Sequence, residues 1–136
     1  MNEIDVGVDF GITNSDIAIK SGGSVTYKSL SSEKNIHLSF NNIIKDLQKN
    51  SVIRNICVTG GKHLDLPENF DGLKVLKKNE INSIAAGAKY LSGLDSNFLV
   101  LSCGSGTACV GYENEISTHL GGSGLGGGTI RGLCKL

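Results

Sequence analysis

Seven of the chain's 19 glycines crowd into one stretch, GGSGLGGGTIRG, from Gly121 to Gly132. A few residues earlier stands SCGSGT, Ser102 to Thr107, directly after the apolar run Phe98 to Leu101. The earlier stretch reads as a tight turn at the end of a buried strand, and the later one ends at Thr129 and Ile130, where a helix can begin. Without a Cβ, glycine lets backbone N–H groups approach an anion closely, and a helix N-terminus adds partial positive charge. Two such loops so near each other point to a nucleotide-phosphate site. Glycine runs also serve as flexible turns, and composition alone leaves both readings open.

The remaining composition narrows the class. Thirteen basic residues balance 13 acidic ones, which gives no electrostatic footprint for nucleic acid or a membrane surface. No apolar run approaches the roughly 20 residues needed to span a bilayer. Met1 is followed by Asn2, Glu3 and Asp5 rather than by a basic leader, so a cytoplasmic location is expected. Cys57, Cys103, Cys109 and Cys134 form no CxxC pair, and His37, His63 and His119 lack metal-ligand spacing. Small buried thiols in a reducing compartment are expected, not zinc or disulfides.

Taken in order, residues 4–8 form a strand that turns through Asp9 to Ser15 into a second strand at Ile17 to Lys20. Gly22 and Gly23 turn into a third at Val25 to Leu30. From about Ser32 the period becomes helical, with Ile36, Phe40, Ile43, Ile44 and Leu47 on one face and Glu33 in the first turn. A strand follows from Val52 to Thr59, ending at Gly60 and Gly61. Leu64 to Gly72, with the single proline, reads as loop, and Leu73 to Leu76 as a short strand. Asn79 to Ser92 carries a helical stripe of Ile81, Ile84, Ala85, Ala88 and Leu91. Strands at Phe98 to Leu101, Thr107 to Tyr112 and Glu115 to Leu120 precede the glycine loop, so the second part opens as the first does.

This order resembles the actin/Hsp70/sugar-kinase superfamily. The resemblance implies an α/β fold: a ribonuclease H-like, actin-type ATPase lobe (βββαβα) over residues 1–95, then the first three strands of a second, incomplete lobe over 96–136. A three-stranded piece without its covering helices leaves an apolar face in water, which signals a missing partner. The chain is therefore expected to be a truncated form or one half of a split protein. Within the superfamily, three motifs look like those of the type II pantothenate kinases. DFGITNSD (Asp9 to Asp16) is similar to their first phosphate loop, CGSGT (Cys103 to Thr107) to their second, and GGSGLGGGTIRGL (Gly121 to Leu133) to their glycine run. VTGG (Val58 to Gly61) and NEI (Asn79 to Ile81) match in order as well.

The resemblance implies ATP and Mg²⁺ as cofactors, with pantothenate or a similar small molecule as phosphate acceptor. By it, Asp9 holds the metal directly or through water. Gly11, Thr13, Gly104, Ser105, Gly106, Thr107, Gly126, Gly127, Gly128 and Thr129 surround the nucleotide phosphates. His119, Gly121 and Gly122 fall at substrate-binding positions, and Glu80 at that of the general base. Phosphoryl transfer needs positioning, charge neutralisation and a carboxylate near the nucleophile, and these residue types supply them. Read by themselves, Glu80 is also a helix-opening acid favoured by the dipole, and Asp9 also a turn aspartate.

Two positions depart from the family pattern: Asp16 stands where the kinases have lysine, and His119 where they have arginine. A carboxylate repels phosphate, and neutral imidazole lacks the guanidinium fork. The alternative is thus a degenerate, non-catalytic nucleotide-binding module acting through oligomerisation or a partner chain. Another small-molecule kinase or ATPase of the superfamily is a third reading. The implied partners are a second copy or a complementing C-terminal half.

Overall fold

The computed structural model describes residues 1–135 and divides into two compact units, Met1–Lys78 and Asn79–Leu136. In the first unit the opening strands form a meander: β1 (Asn2–Phe10), β2 (Asn14–Ser21) and β3 (Ser24–Ser31). β1 pairs antiparallel with β2, Val8 facing Ile17, and β2 pairs antiparallel with β3. Helix α1 (Ile36–Gln48) then crosses over, so that β4 (Ser51–Gly60) lies parallel to β1. After a single 3₁₀ turn at His63–Asp65 come β5 (Asn69–Phe70) and β6 (Leu73–Lys77), giving the sheet order β3-β2-β1-β4-β6-β5.

Strand alternation decides which face is core. Ile4, Val6, Val8 and Phe10 of β1 and Ile56 and Val58 of β4 are buried together with Phe40, Ile43 and Ile44 of α1. Phe40 is only 1% exposed, its ring centroid 6.4 Å from that of Phe10 and 5.2 Å from that of Phe70. Each fully buried side chain of this size stabilises by about 1.5–3 kcal/mol. The intervening residues Asp5, Gly7 and Asp9 fall on the opposite face of the sheet.

Two details differ from the expectations. Helix α1 begins at Ile36 and not near Ser32, because the Asn35 side chain accepts hydrogen bonds from the amides of His37 (3.0 Å) and Leu38 (3.2 Å). Glu33 therefore lies outside the first turn. The segment read as loop also contains β5, paired antiparallel with β6 through Phe70 and Leu73. Asp71 and Gly72 join them with φ of +47° and +82°, the geometry of a two-residue Asp-Gly hairpin.

The second unit holds α2 (Glu80–Ser92), β7 (Phe98–Cys103), β8 (Thr107–Glu113), β9 (Ile116–Ser123) and α3 (Gly127–Leu133). The three strands form one antiparallel sheet in the order β7-β8-β9. Helix α2 packs on this sheet, so it sorts with the second unit although the sequence places it inside a first lobe of residues 1–95. The physical reason is its apolar stripe, whose Ala85 is fully buried, as is Val110 of β8. Phe98 stacks on Tyr112 at 4.7 Å, and Lys89 Nζ sits 5.5 Å from the Tyr112 ring centroid. The other face keeps Leu99 and Leu101 at 71% and 69% exposure, with Ile116 and Leu120 also exposed. These four side chains form an exposed apolar patch on the face of the sheet away from α2.

Candidate functional site

In the first unit the site is the β1–β2 turn. Asp9 is exposed near the end of β1, directly across from Asp16 on β2 and beside Thr59 on β4. Cross-strand partners share a face, so both carboxylates project to the side opposite the core. Thr59 Oγ1 is buried and has no hydrogen-bond partner among the described residues. Like charges directly opposite are destabilising, a penalty that a bound cation relieves. Two carboxylates and an unsatisfied hydroxyl are hard oxygen donors, the chemistry that suits Mg²⁺. Asp9 would be the residue to hold such an ion, although among the described residues no group of three or more His, Cys, Asp or Glu side chains is placed to hold a metal.

The turn itself is pinned from a distance. Ser32 Oγ donates to Gly11 O (2.7 Å) and Ser32 N to Thr13 O (3.0 Å), while the buried Ser15 hydroxyl lies 3.5 Å from Ser32 Oγ. A Cβ on Gly11 would stand 2.7 Å from Asn14 O, so the turn is too tight for any other residue without a shift. Ile12 at its tip is 87% exposed. Ser32 was missed at the sequence level; no local pattern marks a serine that serves a turn some 20 residues away.

In the second unit the two glycine loops come together. Gly127 N donates to Gly104 O (2.9 Å) and Gly128 N to Ser105 O (3.0 Å), while Gly104 N closes on Gly106 O (2.8 Å). Gly126 is the point of closest approach: a Cβ there would lie 2.8 Å from each of the carbonyl oxygens of Gly104, Ser105 and Gly106. Thr107 Oγ1 donates to Leu125 O (2.8 Å), and Thr129 Oγ1 bonds both Gly126 N and Gly124 O at 3.3 Å. The first amides of α3 thus serve the loop-to-loop contact. That is a different use from the direct anion binding suggested by glycine composition.

The other expected positions are also located. Glu80 is exposed in the first turn of α2, whose cap is Asn79; its Oδ1 accepts from Ile81 N at 2.8 Å and Asn82 N at 3.4 Å. His119 is exposed on β9 opposite Val110, and Gly121 and Gly122 lie opposite Cys109 and Ala108. The register slips between Cys109 and Val110, leaving Leu120 as a bulge that separates His119 from the two glycines. Asp9, Gly11 and Thr13 belong to the first unit, and Glu80, His119 and both glycine loops to the second.

These elements define a class first. The structure shares its fold with solved ROK-family kinases. It aligns with a ROK family glucokinase from Streptomyces griseus at a TM-score of 0.63 and 13% identity, over 88% of this chain and 47% of that one. A ROK hexokinase from Thermus thermophilus aligns at 0.62 and 18% identity, over 91% of this chain and 50% of that one. No protein-family model matches the chain. In sequence the chain is similar to type II pantothenate kinases: it is 34% identical over 134 residues to that of Bacillus cereus strain AH820, covering 90% of this chain and 49% of the kinase. The Bacillus anthracis enzyme is 33% identical over 135 residues with the same coverage. The chain spans about half the length of these curated relatives.

Proposed function

We propose that this chain supplies the nucleotide-handling half of an ATP-dependent kinase of the type II pantothenate kinase kind, phosphorylating pantothenate on the way to coenzyme A. The observation that carries the reading is the similarity to those kinases over 90% of the chain, combined with two glycine loops seated on each other. In this reading the loops Gly104–Thr107 and Gly126–Thr129 of the second unit are phosphate-loop positions, and Gly11 and Thr13 are phosphate-loop positions of the first. The amides of Gly127 and Gly128 hold the second loop in place. Asp9 would hold Mg²⁺, which would supply positive charge to the phosphates. Glu80 takes the proton of the pantothenate hydroxyl, and His119, Gly121 and Gly122 contact the acceptor. This reading places the protein in the cytoplasm, by its similarity to those kinases.

The exposed Leu99, Leu101, Ile116 and Leu120 face is the surface on which this reading places a partner, either a complementing C-terminal segment or a second copy of the chain. The test is calorimetry of the 136-residue chain with MgATP, followed by pantothenate phosphorylation with and without a complementing C-terminal half. Glu80→Gln is expected to lower turnover by about 10²- to 10⁴-fold with ATP affinity retained. Wild-type turnover in that variant removes Glu80 from the mechanism.

One observation favours a second reading. Asp16 lies directly opposite Asp9, placing a second carboxylate where the kinases carry lysine. A degenerate nucleotide-binding module then binds ATP without transfer and works through a stable assembly. ATP binding with no turnover towards any acceptor in a substrate panel, and a constant oligomer by light scattering, supports it over the kinase reading. Transfer to a different acceptor identifies another small-molecule kinase of the superfamily.

A further inference from the structure

Gly60 ends β4 with φ +89°. A Cβ at this position would collide with Asp9 Oδ1 and lie 2.7 Å from both the N and the O of Phe10. Gly72, with a similar φ of +82°, has nothing within 4 Å of such a Cβ. A left-handed backbone accounts for glycine at 72. At 60 the missing side chain also leaves the volume that the Asp9 carboxylate occupies.

The peptide at Gly60 is itself held in place. Gly60 pairs with Phe10 across the β1–β4 register, and Gly61 N donates to Phe10 O at 2.9 Å. His63 Nδ1 approaches Gly60 O at 2.5 Å. A carbonyl only accepts, so the imidazole carries its proton on Nδ1 and donates it. His63 is half-buried in the turn that follows β4.

We infer that Gly60 is a positioning residue for the Asp9 carboxylate and that His63 acts as its latch, fixing the peptide so that no group enters the space beside Oδ1. The functional consequence rests on the kinase reading of Asp9, whereas the geometric one does not. Any side chain at 60, or a released 60–61 peptide, displaces the carboxylate from the position it holds beside Gly60.

The test begins with the Asp9 rotamer in the full chain without nucleotide, read from its three-bond Hα–Hβ couplings by NMR. One dominant rotamer is expected in the wild type, a changed population in Gly60→Ala, and no change in Gly72→Ala. Should Gly60→Ala fail to fold, His63→Ala serves instead; it is expected to average the couplings, and His63→Asn, which keeps an N–H donor, to restore them. Wild-type couplings in folded Gly60→Ala, or in His63→Ala, overturn the inference. The second readout is the ratio of ATP affinities with and without Mg²⁺. It is expected to fall at least tenfold in Gly60→Ala or His63→Ala, with the metal-free affinity within twofold of wild type. An altered rotamer with an unchanged ratio overturns the metal role of Asp9 and keeps the positioning. Absence of ATP binding by the wild type rejects the kinase reading, and the couplings alone then decide the inference.

Discussion

Gly126→Ala isolates the contact that joins the two glycine loops. Gly126 has φ near 180°, extended backbone that alanine adopts without strain, so the effect of the substitution is entirely one of contact. The new methyl would lie 2.8 Å from three backbone carbonyl oxygens, those of Gly104, Ser105 and Gly106. None of these is the end of a flexible side chain, so the loops must separate. Separation stretches the Gly127–Gly104 and Gly128–Ser105 hydrogen bonds, now 2.9 and 3.0 Å. Two such bonds contribute about 0.5–1.5 kcal/mol each. Overpacking adds about 1–3 kcal/mol. The expected destabilisation is about 2–6 kcal/mol, read from the urea midpoint of the second unit. Amide hydrogen exchange at Gly127 and Gly128 should accelerate in parallel. Gly124→Ala is the control, since a Cβ there meets nothing within 4 Å, and it should stay within about 0.5 kcal/mol of wild type. A Gly126→Ala midpoint equal to that of Gly124→Ala, with the two amides still protected, refutes the reasoning.

Two further outcomes follow from the first unit. Phe40→Ala removes a ring held between Phe10 and Phe70 and should cost about 3–5 kcal/mol in denaturant unfolding; a cost below about 1 kcal/mol would show that the core collapses around the gap. Asp5 is lowered from 3.8 to about 2, first by its hydrogen bond from Arg54, then by that from Asn55. A depressed carboxylate stabilises the fold above its unfolded pKa and loses that stabilisation as pH falls towards the folded value. Arg54→Ala should therefore raise the Asp5 titration midpoint, read by carboxyl NMR, and flatten the stability change between about pH 4 and 2; an unmoved midpoint contradicts the assignment.

The geometry around Asp5 also shows how register makes contacts that composition does not announce. The β1–β4 register slips between Ile4 and Asp5, leaving Arg54 as the extra residue on β4. Arg54 and Asn55 consequently both reach Asp5, the guanidinium at 3.0 and 2.5 Å and the amide at 2.7 Å. A bulge of this kind depends on how two strands about 50 residues apart meet, and hydrophobic alternation within either strand is silent about it.

What the chain discloses by itself is whatever is encoded over short distances. Period-two alternation in β1, the apolar stripe of α1 and glycines at the turns specify elements locally, so the two strand meanders and both long helices were legible. The Asp71-Gly72 pair is a local hairpin signal, while Pro67 in the same segment argues for loop. Tertiary structure decided the rest, because each remaining feature is a meeting of distant segments. Ser32 pins the Gly11–Thr13 turn, Asp16 lands opposite Asp9, Gly60 clears the space of a carboxylate on another strand, and the amides of Gly127 and Gly128 are committed to Gly104 and Ser105. Glycine content in a sequence shows where backbone can approach closely. Only the folded chain shows what it approaches, since that is set by register and by hydrogen bonds between loops that the sequence keeps apart.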